Sequence, residues 1–209
     1  MDCPVLVHHL ILSAYGFWLP TDPRGSWTDI VRAFELRRFG PATKTRSRRS
    51  LARDSHDWRA RLAAKKYLAR DPVIFTGLQA RAIARGFASQ VAHSGLNFLA
   101  CAIMPDHVHA VITKHTFTIE QIVNLLKGCA TRQLLAEGIH PFADLRYRDG
   151  SLPRLWARGY WKIFLRDPER IATAIVYIEN NPVKEGKKKQ TWNIVTRFTN
   201  EEAALRARG

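Results

Sequence analysis

Cysteine is scarce in this chain of 209 residues, and acidic side chains are outnumbered. Cys3, Cys101 and Cys129 are far apart and odd in number. They build neither a disulfide framework nor a Cys-x-x-Cys metal site, which fits a reducing cytoplasm. No uncharged apolar run approaches the roughly 20 residues of a spanning helix, so no membrane association is expected. The apolar opening, Val5–Leu12, is interrupted by His8 and His9, and Asp2 stands where a signal peptide carries basic residues. Internal repeats and low-complexity linkers are also missing. Only 18 Asp and Glu face 33 Lys and Arg, a formal charge of +15. With 46% hydrophobic and 24% charged residues, the chain can still enclose a core. A field of that sign selects polyanions, nucleic acid first.

The pattern along the chain is α+β. Val5–Ala14 reads as a first strand, bounded by Gly16 and Pro20. From about Thr21 to Asp71 regularity breaks down at Asp22-Pro23, Arg24-Gly25 and Gly40-Pro41. Between Arg32 and Arg70 there are 13 Lys or Arg against Glu35, Asp54 and Asp57. This basic excursion supplies most of the net charge, and its Arg53–Leu68 portion has moderate helical periodicity. Thr76 caps an expected helix with Leu78, Ile83, Phe87 and Val91 on one face and Gly95 at its end. Asn97–Met104 and His107–Thr113 read as an antiparallel pair around a Pro105-Asp106 turn. Thr118 and Gln121 form a capping box for a helix carrying Ile119, Ile122, Val123, Leu126 and Leu134. A β-leaning run, Tyr160–Leu165, precedes Asp167-Pro168-Glu169, a capped helix start. That last helix is expected to end by Asn181, because Pro182 disfavours a helical residue before it.

Two groups of residues suggest chemistry. Side chains alternate along a strand, so His107 and His109 project from one face while Val108 enters the other. Such a pair can bind a divalent cation. Tyr177 and Asn181, four apart, share a face of the last helix opposite Ile171, Ala174, Ile175 and Ile178. A tyrosine can attack a phosphodiester once its phenol is deprotonated, and a cation beside it stabilises the developing charge. The Asn181 amide could complete the cation site. Asp106 reads as turn chemistry, off the His107 face. His8 and His9 lie on the first strand, where one of them could face the site, though packing at the core or edge is the leading expectation.

Met104-Pro105-Asp106-His107-Val108-His109, followed by Tyr177-Ile178-Glu179-Asn180-Asn181-Pro182-Val183, resembles the single-tyrosine HUH transposases. Among them it is most similar to the REP-associated tyrosine transposases; Leu126-Lys127-Gly128 and Trp156–Trp161 support the likeness. The resemblance covers the first strand and about residues 73–190. It implies an HUH-type, ferredoxin-like antiparallel sheet with helices packed on it, and a basic insertion (about 21–71) after the first strand. The organisation implied is a single domain over residues 1–190 with a tail over 191–209. The resemblance further implies His107 and His109 as metal ligands, with Asn181 as third, where insertion-sequence relatives carry Gln. Tyr177 becomes the nucleophile linked to a DNA 5′ phosphate. Mg²⁺ or Mn²⁺ suits such a site chemically.

The expected partner is single-stranded or hairpin DNA, and both monomers and homodimers occur in the family. Candidate DNA contacts are Lys127, Arg154, Trp156, Arg158, Tyr160, Lys162, Arg166 and Lys184; the aromatics among them equally suit a core. A second reading is a non-catalytic, domesticated protein that binds hairpin DNA without cutting it.

Overall fold

In a computed structural model of the chain, residues 7–22, 26, 29–44 and 57–198 are described. The expected strand start at Val5, residues 45–56 of the basic excursion and the tail beyond 198 lie outside them. Strand β1 (Val7–Ser13) alternates: Leu10 and Leu12 point to one face, Val7 and His9 to the other. It pairs antiparallel with β3 (His107–Thr113) on one side and β4 (Trp161–Leu165) on the other. The remaining edge is β2 (Phe98–Ile103), antiparallel to β3, giving the order β2-β3-β1-β4. The β2–β3 hairpin closes on Pro105-Asp106, with the Met104 amide donating to the His107 carbonyl at 2.8 Å.

Two helices make the crossovers. α2 (Gly77–Ser94) joins β1 to β2 past β3, and α3 (Ile119–Ala136) joins β3 to β4 past β1. Each opens on a capping box, Thr118 with Gln121 as read from sequence and Thr76, expected as a simple N-cap, with Gln79. Both pack on the face carrying Leu10, Leu12, Val108 and Ile112, where Ile83, Phe87 and Leu126 are fully buried. Each such side chain contributes about 1.5–3 kcal/mol of transfer free energy. Leu78, expected on this face, instead stands exposed in the first turn of α2. The α2–α3 approach is close enough that a Cβ at Gly86 would lie 2.8 Å from the Cys129 carbonyl oxygen.

The other face is covered by α4 (Pro168–Lys184), whose Ile171 and Ile178 bury against Val7, Leu99, Ala102, Met104 and Val111. The Asp167 carboxylate caps it through the Glu169 amide, as expected. Its end differs from expectation: α4 runs through Pro182 to Lys184. Pro182 falls in the last turn and is buried, so its missing N–H removes one bond at a fraying end. Downstream amides restore closure, Glu185 donating to Asn181 and Pro182, and Lys187 to Pro182 at 2.8 Å.

The insertion carries a small core of its own, Leu19, Val31, Leu36 and Ala64, beneath a 3-10 turn (Phe34–Phe39) and α1 (Trp58–Lys65). The expected helix over Arg53–Leu68 is thus α1 in its described part. Gly16, at φ +80°, lets the chain leave β1 under Leu68 and Pro72; a Cβ there would meet both at 2.9 Å. Of the segment expected as a tail, the described residues 191–198 lie against the domain, preceded by Gln190. Gln190 bonds the amide and carbonyl of Ile103, each at 2.8 Å, Ile194 is buried, and the Thr196 amide donates to Phe98. These contacts occupy the outer edge of β2, which would otherwise present unpaired backbone groups.

Candidate active site

Alternation along β3 sends His107 and His109 to the α4 face, as expected from the His-x-His spacing. Their ring centroids lie 4.7 Å apart with planes at 81°. Tyr177, on the sheet-facing edge of α4, places its ring 5.8 Å from that of His109, edge-on at 89°. Tyr177 is 42% exposed, so a macromolecule can reach its hydroxyl. One turn further along α4, Asn181 is buried. The added helical turn through Pro182 brings Lys184 back to the same face, its ammonium 5.0 Å from the centre of the Tyr177 ring.

Each histidine is oriented by a neighbour. His107 Nδ1 lies 2.7 Å from the Asp106 carboxylate, and Phe17 stacks on the same imidazole at 4.7 Å. Asp106 is therefore more than a turn residue: its carboxylate holds the His107 ring. Burial would raise the Asp106 carboxyl, but the His107 hydrogen bond and charge, with the Lys65 charge, outweigh it and keep it below its ordinary value. His109 Nδ1 lies 3.1 Å from Nε2 of His9. His9 is buried, shares the sheet face of His109, and has its ring 6.5 Å from that of Tyr177. Of the two first-strand histidines, for which packing is the leading expectation and one could face the site, His9 is the one that does. Its position is legible only through the β1–β3 register, which sets Ile11 opposite His109 and makes His9 the diagonal neighbour.

Burial lowers the His9 imidazole to about 4. Burial, then the charges of His107 and His9, hold His109 well below its usual value, so it stays neutral at neutral pH. With Nδ1 of both His107 and His109 engaged, Nε2 of each is the nitrogen left for a ligand. Among the described residues no group of three His, Cys, Asp or Glu converges to hold a metal ion. A cation site here therefore needs an oxygen of another kind, and the Asn181 amide oxygen fits that donor set chemically.

The expected DNA contacts divide. Lys127, Trp156, Tyr160 and Lys162 lie on the opposite sheet face, because Lys162 pairs with Leu10 in the β1–β4 register. The Lys127 ammonium donates to the carbonyls of Ala157 and Gly159, at 2.8 and 2.9 Å. Trp156 is buried in the core, its indole donating to the Lys127 carbonyl, so it offers no face to a base. Tyr160 and Lys162 both bond the Glu120 carboxylate, tying β4 to α3. These four act as structural fasteners. Arg154, Arg158, Arg166 and Lys184 are exposed, and of them Lys184 adjoins Tyr177.

Residues 62–181 match a family model described as IS200-like transposase. A Haemophilus influenzae protein named as a REP-associated tyrosine transposase is 32% identical over 98 residues, covering 45% of this chain and 53% of that protein. The match thus spans about half the length of that curated relative. Two solved structures are similar at low identity. One is a REP-associated tyrosine transposase bound to a REP hairpin (14% identity, TM-score 0.46, 89% of this chain and 72% of that one). The other is a transposase from Deinococcus radiodurans R1 (17%, 0.41, 84% and 89%). Among the described residues no helix is long and apolar enough to cross a membrane.

Proposed function

The chain belongs to the IS200-like transposase family, and from that premise we propose that it is a strand-transfer nuclease acting on single-stranded or hairpin DNA through Tyr177. The observation that carries this reading is the exposed Tyr177 ring held edge-on to His109, beside His107, on one face of the sheet. The Tyr177 phenolic oxygen attacks a phosphodiester phosphorus. The bond from phosphorus to the 3′ oxygen breaks, and that oxygen takes up a proton as the phenol loses one. The products are a 3′ hydroxyl and a 5′-phosphotyrosine. Attack by the 3′ hydroxyl of another strand end restores tyrosine and joins new DNA. The exchange conserves one phosphodiester-level bond, so no high-energy cofactor is required.

His107, His109 and Asn181 would hold the divalent cation, Mg²⁺ or Mn²⁺. Such an ion polarises a non-bridging phosphate oxygen and favours the phenolate. Asp106 and His9 hold the two imidazoles in orientation, α4 holds the tyrosine over them, and Lys184 presents a cation beside the phenol. The net charge of +15 supplies sequence-independent attraction to the DNA backbone.

The test is a denaturing gel with hairpin oligonucleotides labelled at the 5′ or 3′ end, with and without Mg²⁺ or Mn²⁺. The expected product is a protein-linked band carrying the strand 3′ of the cut, lost in Tyr177→Phe and in His107→Ala. Cleavage by Tyr177→Phe at the wild-type rate would falsify the mechanism. Tight binding with no adduct under any metal would favour the non-cutting hairpin binder.

A further inference from the structure

The basic insertion has a built surface that the site above does not use. Residues 21–61 precede the region matched by the family model. Guanidinium groups there sit on aromatic rings that remain open to solvent. Arg38 lies 3.2 Å from the centre of the Tyr67 ring, Arg37 5.9 Å from Phe34, and Arg59 5.5 Å from Trp58. Phe34 is 77% exposed and Trp58 56%. An apolar ring left that open gains nothing for the small core beneath it, where Leu36 and Ala64 do the packing. The 3-10 turn and α1 pack together, so these pairs belong to one scaffold.

The scaffold also adjoins the active site. Leu68, just past the end of α1, packs under Gly16, next to Phe17, whose ring stacks on the His107 imidazole at 4.7 Å.

We propose that this Arg–aromatic face binds the unpaired strand of the DNA substrate flanking the scissile phosphate. Exposed rings stack bases without sequence preference, guanidinium groups pair with phosphates, and the 13-to-3 excess of basic over acidic residues between Arg32 and Arg70 matches a polyanion. The inference rests on the reading of the protein as a DNA-processing enzyme, and it assigns a second contact surface for that same substrate.

The test uses the full chain in a Tyr177→Phe background, which measures binding without cleavage. Fluorescence anisotropy compares a blunt hairpin with the same hairpin carrying a single-stranded extension of about 12 nucleotides. Arg38→Ala/Arg59→Ala is expected to weaken the extended hairpin by about tenfold, to reduce its salt slope by about 1.4, and to change the blunt hairpin less than about twofold. Phe34→Ala, at a position too exposed to matter for folding, is expected to cost about fivefold on the extended hairpin with the salt slope unchanged. Affinities for the extended hairpin within about twofold of the parent in both variants, or equal losses on both DNAs, overturn the proposal. Failure of wild-type protein to form an adduct, with this contrast intact, overturns the nuclease reading and leaves the surface standing.

Discussion

Nε2 of His9 lies 3.1 Å from Nδ1 of His109, a contact between two buried imidazoles on adjacent strands. One of the two nitrogens carries the shared proton. If His109 uses Nε2 as a ligand nitrogen, its Nδ1 is the donor and a neutral His9 the acceptor, a state that burial enforces by lowering His9 to about 4. His9 is thus a positioning residue for the proposed cation. Replacing it with Phe keeps the ring and removes the acceptor. The expected result is a loss of about 10–100-fold in Mn²⁺ affinity by calorimetry, with the melting temperature little changed. His9→Gln, which restores an acceptor, should recover part of the affinity. Unaltered Mn²⁺ binding in His9→Phe would show that the contact is packing alone.

Lys184 faces the Tyr177 ring only because α4 continues past Pro182. Removing its charge in Lys184→Met should slow adduct formation by about 3–10-fold, as loss of a cation beside a developing phenolate. Hairpin affinity should fall less than the single-turnover rate, and Lys184→Arg should restore most of it. A wild-type rate of adduct formation in Lys184→Met would remove Lys184 from the site.

What could be read from the sequence follows how local each cause is. Thr76, Thr118 and Asp167 start their helices through hydrogen bonds within three residues, so all three starts were legible. The His107–Thr113 strand was legible too, because alternation and the Pro105-Asp106 turn suffice. What was not legible depended on distant chain. His9 needs the β1–β3 register, and Lys162 needs the β1–β4 register to be seen on the face away from Tyr177. Pro182 stays within α4 because it falls in the last turn, which downstream amides close, and residues 191–198 lie along the open edge of β2. Trp156 among basic neighbours looked equally like a base-stacking platform and a core residue; its burial against α3 decides for the core.

Lys127 gives a pH prediction with a definite sign. Burial lowers its ammonium from 10.5 to about 8. Between those values the unfolded chain binds more protons than the folded one, so this group makes stability rise with pH across that window and leaves it flat below. The wild-type protein should therefore gain on Lys127→Met by about 1–2 kcal/mol between pH 8 and 10 in urea denaturation, after allowance for partial solvent screening. A constant difference across that range would mean that the carbonyls of Ala157 and Gly159 hold the ammonium at its ordinary value.

Two glycines in facing helices should respond in opposite directions to the same change. Alanine in a helix interior gains about 0.8–1 kcal/mol over glycine. At Gly128 the added Cβ would meet only the end of the Arg132 side chain, at 3.2 Å, which can swing away. Gly128→Ala should therefore stabilise by up to about 1 kcal/mol. At Gly86 the Cβ would lie 2.8 Å from the Cys129 carbonyl oxygen and 3.0 Å from the Ala130 Cα, backbone atoms of α3 that move only if the helices part. Overpacking of that kind costs about 1–3 kcal/mol and outweighs the propensity gain, so Gly86→Ala should destabilise by about 1–2 kcal/mol. Urea denaturation of the two variants decides the matter. Stabilisation by both would mean that α2 and α3 separate at little cost, and that the close approach at Gly86 contributes nothing to holding the helical layer together.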